Sequence, residues 1–177
     1  TTIENYTKTI RKLYGGHAAD ILKVYRADND AEVESVATDL ASDRFIGFST
    51  WRWSDLHAKT GGNKVYRYHY EHPRPKTRQN PDAETSKGAT HSSEIEYALG
   101  NLPTNRVYDW QPDDYLVSEI FQAYFVNFIK TGNPNGPALP EWPAVIPDQP
   151  AEVLRVDVNT RAETEKHRDR YLMMERN

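Results

Sequence analysis

The stretch "GATHSSEIEYALGNL", residues 88–102, sets His91 behind a small-residue turn and ahead of two carboxylates, Glu94 and Glu96. An imidazole titrates near neutral pH and can serve as base, acid or metal ligand. Two carboxylates and one imidazole also suit a divalent ion, which makes His91, Glu94 and Glu96 one metal-like set. A second set, His69, Glu71 and His72, ends the run "KVYRYHYEH". In a strand His69 and Glu71 share a face while His72 points away, so that set converges poorly. The plain reading stands beside these: a lone histidine is usually a satisfied surface or core group. Glu94, at the head of a helix starting near Ser92, would favour its first turn with no further role.

What is missing narrows the chemistry. The chain has no GxSxG elbow, glycine-rich phosphate loop or HExxH helix. Its eight serines include none in a turn that would present a nucleophile. Zero cysteines exclude disulfides and thiolate metal sites.

The elements that must position His91 are mostly helical. Thr1 and Glu4 form a candidate capping box, followed by Ile3, Tyr6, Ile10, Leu13 and Tyr14 at helical spacing, until Gly15 and Gly16 stop the helix. Ala18, Ile21, Leu22 and Tyr25 predict a second helix. Asn29 with Glu32, then Val33, Val36, Ala37, Leu40 and Ala41, predict a third. Residues 45–59 carry Phe45, Phe48, Trp51 or Trp53, and Leu56, a fourth helix with Gly47 disturbing its start. Residues 1–60 thus form a helical region.

Alternation over 64–71, with Tyr66, Tyr68 and Tyr70 on one side, predicts the first strand. Residues 73–87, with three prolines and many charges, predict a loop and the best internal boundary. The strongest helix follows Asp113 or Asp114 as cap, with Leu116, Ile120, Tyr124 and Phe128 on one face beside Val117 and Phe121, and ends at Gly132 and Pro134. A proline-rich strap anchored by Trp142 leads to a strand at 152–158 with Leu154, Val156 and Val158 inward. A hairpin partner is expected near 161–165 and a last helix in "KHRDRYLMMER". If the chain is cut from a longer parent, the strand at 64–71 is expected to present an open edge, and the isolated chain either to contact a copy of itself or to rearrange its helices where the missing part would pack.

The 177 residues suit one domain, and 37% hydrophobic with 11% aromatic residues suffice for a core. Mean hydropathy is −0.83 and the pI about 5.9. The net charge of −4 comes from 22 basic and 26 acidic residues scattered together, without the one-sided basic field of a nucleic-acid binder. No run approaches the roughly 18 apolar residues of a membrane span, and no charged-then-apolar leader opens the chain. The first residue is Thr1 and not Met, which reads as part of a longer chain.

With "SEIFQAYFVNFIKTGNPNGPALPEWPAV" downstream, "GATHSSEIEYALGNL" resembles the C-terminal part of a type B carboxylesterase, the cholinesterase and para-nitrobenzyl-esterase-like branch of the α/β-hydrolases. "VYRYHYEH", "ENYTKTIRKLYGGHAADILKVY" and "DRFIGFSTWRW" agree, so the resemblance covers nearly the whole chain as a single partial domain. It implies an α/β fold, helix-rich with about three or four strands, and a histidine loop, long helix and terminal strand and helix over 88–177.

The resemblance further implies that His91 is the histidine of a Ser-His-acid triad, which takes the serine proton and returns it to the leaving alcohol while an acid orients the ring. Gly88 and Ala89 would leave room for its approach to the serine. The serine, the acid and the oxyanion loop belong upstream of the matched region. Glu94 and Glu96 do not match the family's acid. The expected ligand is then a small-molecule ester bound by the whole protein, with no cofactor and no metal, and the isolated chain is expected to be inactive. Secretion or periplasmic export is implied by resemblance alone. A second class remains, a cholinesterase-like adhesion or binding module that has lost its triad, and a third, a metal-binding or interaction domain using His91, Glu94 and Glu96. Trp51, Trp53, Tyr97 and Trp110 are read as core before pocket wall.

Overall fold

A computed structural model describes residues 1–176. The chain forms two compact units, Thr1–Gly62 with the segment from Glu165 onward, and Asn63–Thr164.

The first unit is all helix: α1 (Ile3–Tyr14), α2 (Ala18–Val24), α3 (Val33–Ser42), α4 (Phe48–Thr60) and α7 (Arg168–Arg176). Thr2, not Thr1, caps α1, its hydroxyl accepting from Asn5 N–H at 3.2 Å. Gly15, at φ 52°, ends α1. Glu32 does not close a capping box; its carboxylate accepts from Asn29 Nδ2 at 2.6 Å and from Asp28 N–H at 2.9 Å. Tyr6, Ile10, Ala18, Ile21, Tyr25, Val33, Leu40 and Met173 make the core, with Ile3, Tyr14, Val36 and Ala37 packed against it. Leu13 and Ala41, expected in this core, are exposed.

Between α3 and α4 the chain makes a turn of π-helix, Asp43–Gly47. The extra residue in that turn shifts the helical phase, so a single 3.6-residue period drawn from Phe45 onward misplaces the aromatic face. Trp51 is buried, whereas Phe45 and Trp53 are exposed. Gly47 has a steric reason: a Cβ there would stand 2.7 Å from Asp43 Oδ1 and 3.3 Å from the Tyr171 hydroxyl. That space belongs to a cluster in which Asp43 accepts from Tyr25 OH at 2.8 Å and Tyr171 OH at 3.0 Å.

The second unit holds a three-stranded sheet in the order β1 (Tyr68–Tyr70), β2 (Glu152–Val156), β3 (Arg161–Thr164). β1 runs parallel to β2, with Tyr68 opposite Leu154, and β2 antiparallel to β3, with Glu152 opposite Thr164. This helix-rich chain with its small mixed sheet fits the partial α/β fold that the resemblance implies. β1 is an edge strand and is shorter than the extended run it belongs to. Its flanks stay tied to the same side, Arg67 C=O accepting from Leu154 N–H and Val156 C=O from Glu71 N–H, both at 3.0 Å. The strap adds to this side, Val145 N–H donating to Val65 C=O at 2.8 Å and Trp142 Nε1 to Arg67 C=O at 3.0 Å.

β2 stops at Val156, not 158, because Asp157 opens the hairpin turn: its carboxylate accepts from Asn159 N–H at 2.6 Å and its carbonyl from Thr160 OH at 2.6 Å. Val158 therefore sits on the turn and is exposed, while Val153, on the other face from Leu154, is buried.

Two helices cover the tyrosine face of the sheet: α5 (Ile95–Leu99) and α6 (Pro112–Thr131). Gln111 is the N-cap of α6, and Asp114, at the third helical position, accepts the Gln111 N–H at 2.7 Å. The buried stripe of α6 is Asp114, Val117, Ser118, Phe121 and Tyr124, while Leu116 and Phe128 are exposed. The stripe is rotated from the purely apolar one because two polar side chains turn inward to bond α5. Tyr70, Tyr97, Leu102, Val117, Phe121, Tyr124, Trp142, Leu154 and Val156 form the core. Its aromatic rings meet mostly edge to face, the geometry their quadrupoles favour, as in Tyr68 on Phe121 at 5.1 Å and Tyr124 on Trp142 at 5.4 Å.

Candidate functional site

Parallel strands in α/β sheets direct ligand sites to the loops beyond their carboxyl ends. The segment leaving that end of β1 runs through residues 71–94 and carries His91. Its first part is pinned to the segment before α6, with Arg78 N–H donating to Val107 C=O at 2.9 Å and Asp109 N–H to Lys76 C=O at 3.0 Å. Its last part is a tight turn: Ser93 N–H donates to Thr90 C=O at 3.1 Å, and Ser92 takes φ 64°. A non-glycine residue at positive φ is uncommon and is held only where the surroundings dictate it. His91 lies on this turn and is exposed, while Ser93 two residues on is buried. The structure therefore presents the imidazole outward, four residues ahead of α5.

A helix of five residues is too short to hold itself in water, so α5 depends on what grips it. From α6, Ser118 OH donates to Tyr97 C=O at 2.8 Å, and Asp114 Oδ1 accepts from Tyr97 OH at 2.6 Å. His72, two residues past the end of β1, places Nε2 2.9 Å from the same Asp114 oxygen. Burial pushes the Asp114 carboxyl up, but the bonds from His72, Tyr97 and Gln111 outweigh it and hold it below its ordinary value. Burial and the bond to Asp114 push the Tyr97 phenol well above its ordinary range. The α5 helix ends at Gly100, φ 66°, where a Cβ would fall 2.1 Å from Gln122 Oε1.

Glu96 is gripped from the other side. Arg74 donates to it through both Nη atoms, at 3.0 and 2.5 Å, and Asn105 Nδ2 adds a bond of 2.7 Å. The Arg74 hydrogen bond, against the opposing effect of burial, holds the Glu96 carboxyl below its ordinary value.

The sequence-predicted residues are thus dispersed. Glu96 is spent in an ion pair; His69 and Glu71 join Arg155 on the opposite face of the sheet, with Nδ1 of His69 3.2 Å from Glu71 and 2.9 Å from Arg155; His72 belongs to Asp114. Among the described residues no three His, Asp or Glu side chains converge as a metal site would need. Glu94 is the N-cap residue of α5, without a capping hydrogen bond from its side chain. A Cβ on Gly88 meets nothing within 4 Å, and Ala89 packs against the aromatic core. Tyr97 is fully buried and Trp110 partly so, both as core, whereas Trp53 is not. Sequence reading missed Arg74, the pairing of His72 with Asp114 and the inward role of Asp114. Only Asp114 had a signal, the Gln-Pro-x-Asp spacing of a helix start.

The loop that leaves the carboxyl end of β1 thus bears an exposed histidine and is braced by the α5–α6 pair. The profile of the carboxylesterase family matches residues 2–173, and the chain belongs to that family. It is 34% identical over 123 residues to carboxylesterase 4A of Bos taurus, covering 70% of this chain and 21% of that protein. It is 32% identical over 142 residues to carboxylesterase 5A of Canis lupus familiaris, covering 76% and 23%. To the acetylcholinesterase of Bungarus fasciatus it is 29% identical over 128 residues, covering 71% and 20%. The chain spans between a fifth and a quarter of the length of these relatives. Among the described residues no helix is long and apolar enough to cross a membrane.

Proposed function

We propose that this chain is the C-terminal segment of a carboxylic ester hydrolase and supplies its triad histidine, His91, to a serine and an acid carried elsewhere in the protein. The observation that carries this is the placing of His91, exposed on a braced turn beyond the carboxyl end of β1, in a chain of the carboxylesterase family. In this reading the imidazole takes the proton of the attacking serine and returns it to the leaving alcohol. Family membership supports the ester as substrate. The unpaired edge of β1 is assigned to the rest of the same polypeptide, and in its absence to a second copy of this chain.

The chain alone lacks a GxSxG serine, and a loose imidazole has neither the positioning nor the oxyanion donors that supply most of the rate. It therefore gives no saturable turnover. In the full-length protein, His91→Ala lowers kcat for a nitrophenyl ester by at least about 10³-fold, the scale on which triad members act. Retention of most of the activity would remove His91 from the mechanism. A non-catalytic binding module is the competing class, and it predicts no turnover in the unsubstituted full-length protein.

A further inference from the structure

We propose that Arg74 is a positioning residue for His91, acting through Glu96. The inference rests on the role of His91 proposed above.

Arg74 stands near the start of the histidine segment and Glu96 just past its end, 22 positions apart. The two-point contact between them closes the segment at its base. Both side chains are 18% exposed, so the pair is sheltered from the screening that makes surface ion pairs weak. Two parallel N–H donors on one carboxylate also fix orientation, which a single ammonium contact does not. The Arg74 guanidinium is held in turn, lying 4.8 Å over the Tyr108 ring, and Tyr108 belongs to the strip that pins residues 76–78. Glu96 accepts from Asn105 as well, so three segments meet at one carboxylate.

The consequence for His91 follows from the length of α5. Tyr97 ties this single turn to α6 through both its hydroxyl and its carbonyl. Those bonds start from one residue and reach one helix; Glu96, the neighbouring residue, adds an anchor to Arg74 and Asn105 outside α6 and so limits any pivot of α5 on that helix. The turn that holds His91, with Ser92 at φ 64°, runs directly into α5. A pivot of α5 therefore moves the imidazole. Displacement of a catalytic group by about 1 Å costs on the order of 100-fold in rate.

The test uses the full-length hydrolase and counts competent sites by burst titration with a nitrophenyl ester, so that turnover is read per titrated site. His91→Ala is measured first, and its full activity would overturn the reading of the site itself. With His91 essential, Arg74→Ala is expected to lower kcat per titrated site by about 10- to 100-fold, with KM within about threefold, as loss of an interaction that matters in the transition state requires. Arg74→Lys, which keeps the charge and loses the two-point contact, is expected between Arg74→Ala and the unsubstituted enzyme, and it carries the test if Arg74→Ala does not fold. The swap Arg74→Glu with Glu96→Arg restores at least a third of kcat lost in Arg74→Glu. Unchanged turnover per site with fewer titratable sites would mean a merely structural role and overturn the inference while leaving His91 in place. A swap that stays at the level of Arg74→Glu would overturn the pairing.

Discussion

Each unit has a carboxylate that accepts a tyrosine hydroxyl, half-buried Asp43 in one and buried Asp114 in the other, and the two do different things with it. In the helical unit Asp43 takes Tyr25 from the end of α2 and Tyr171 from α7, and Arg170 lies 4.6 Å over the Tyr25 ring while pairing with Asp39. Every partner there is part of the packing, and Gly47 in the π-turn leaves the space that the cluster occupies. In the sheet unit Asp114 takes Tyr97, His72 and the Gln111 N–H, and the chain it organises leads, within a few residues, to an exposed histidine. An acid whose partners all lie within the packing is a clasp. One whose partners lie at the root of a polar loop holds that loop in place.

The largest effect expected on stability comes from the aromatic core beneath that loop. Phe121 is fully buried and touches Tyr68, Tyr70 and Phe125 by ring contacts of 5.1, 5.9 and 4.9 Å. Phe121→Ala removes the ring and leaves a cavity, costing about 3–5 kcal/mol. Urea unfolding followed by hydrogen exchange should place the loss in α5, α6 and β1. A cost under about 1 kcal/mol would mean that the sheet unit is not organised on this ring.

The clasp should matter less. Asp43→Ala deprives the buried Tyr25 hydroxyl of its acceptor, a cost of about 1–3 kcal/mol for an unsatisfied polar group. Amide exchange should quicken in α7 and in the π-turn while α6 keeps its protection. Equal loss of protection in α6 would erase the distinction drawn between the two carboxylates.

The residue proposed for the site was legible through the family pattern, and what holds its turn was the hardest to read. By type alone His91 favoured the plain reading; the resemblance of the stretch around it is what singled it out. Arg74 has no such mark: it is one cation in a proline-rich, highly charged stretch, and its partner is 22 positions away. The α6 stripe was misread for a related reason. Periodicity counts apolar residues, and this helix turns Asp114 and Ser118 inward to serve α5. The face of α4 was misread because the π-turn breaks the period without any marker except Gly47. Strands were legible in face and order of residues but not in length, since pairing depends on which neighbour stands alongside. The Tyr66, Tyr68 and Tyr70 alternation was right; how many of those residues join a ladder is decided by β2 and by the hairpin turn at Asp157.

The smallest expected effect is one of slope with pH, and it separates the two units most directly. Glu96 and Asp114 both sit in the sheet unit with carboxyls held below their ordinary values. Unfolding frees them to titrate at about 4.3 and 3.9. A depressed folded pKa stabilises the native state fully above the unfolded value, and that contribution drains away as pH falls towards and through the folded one. The urea midpoint of the sheet unit should therefore decline as pH is lowered from about 5 to 3. Glu96→Gln, which keeps the shape and abolishes the titration, should be less stable than the unsubstituted protein at pH 7 and show a shallower acid limb. The two curves should converge as the carboxylate of the unsubstituted protein is protonated. Parallel curves across that range would mean that the Arg74 contact does not distinguish charged from neutral Glu96, and the histidine loop would then be braced by shape and not by the ion pair.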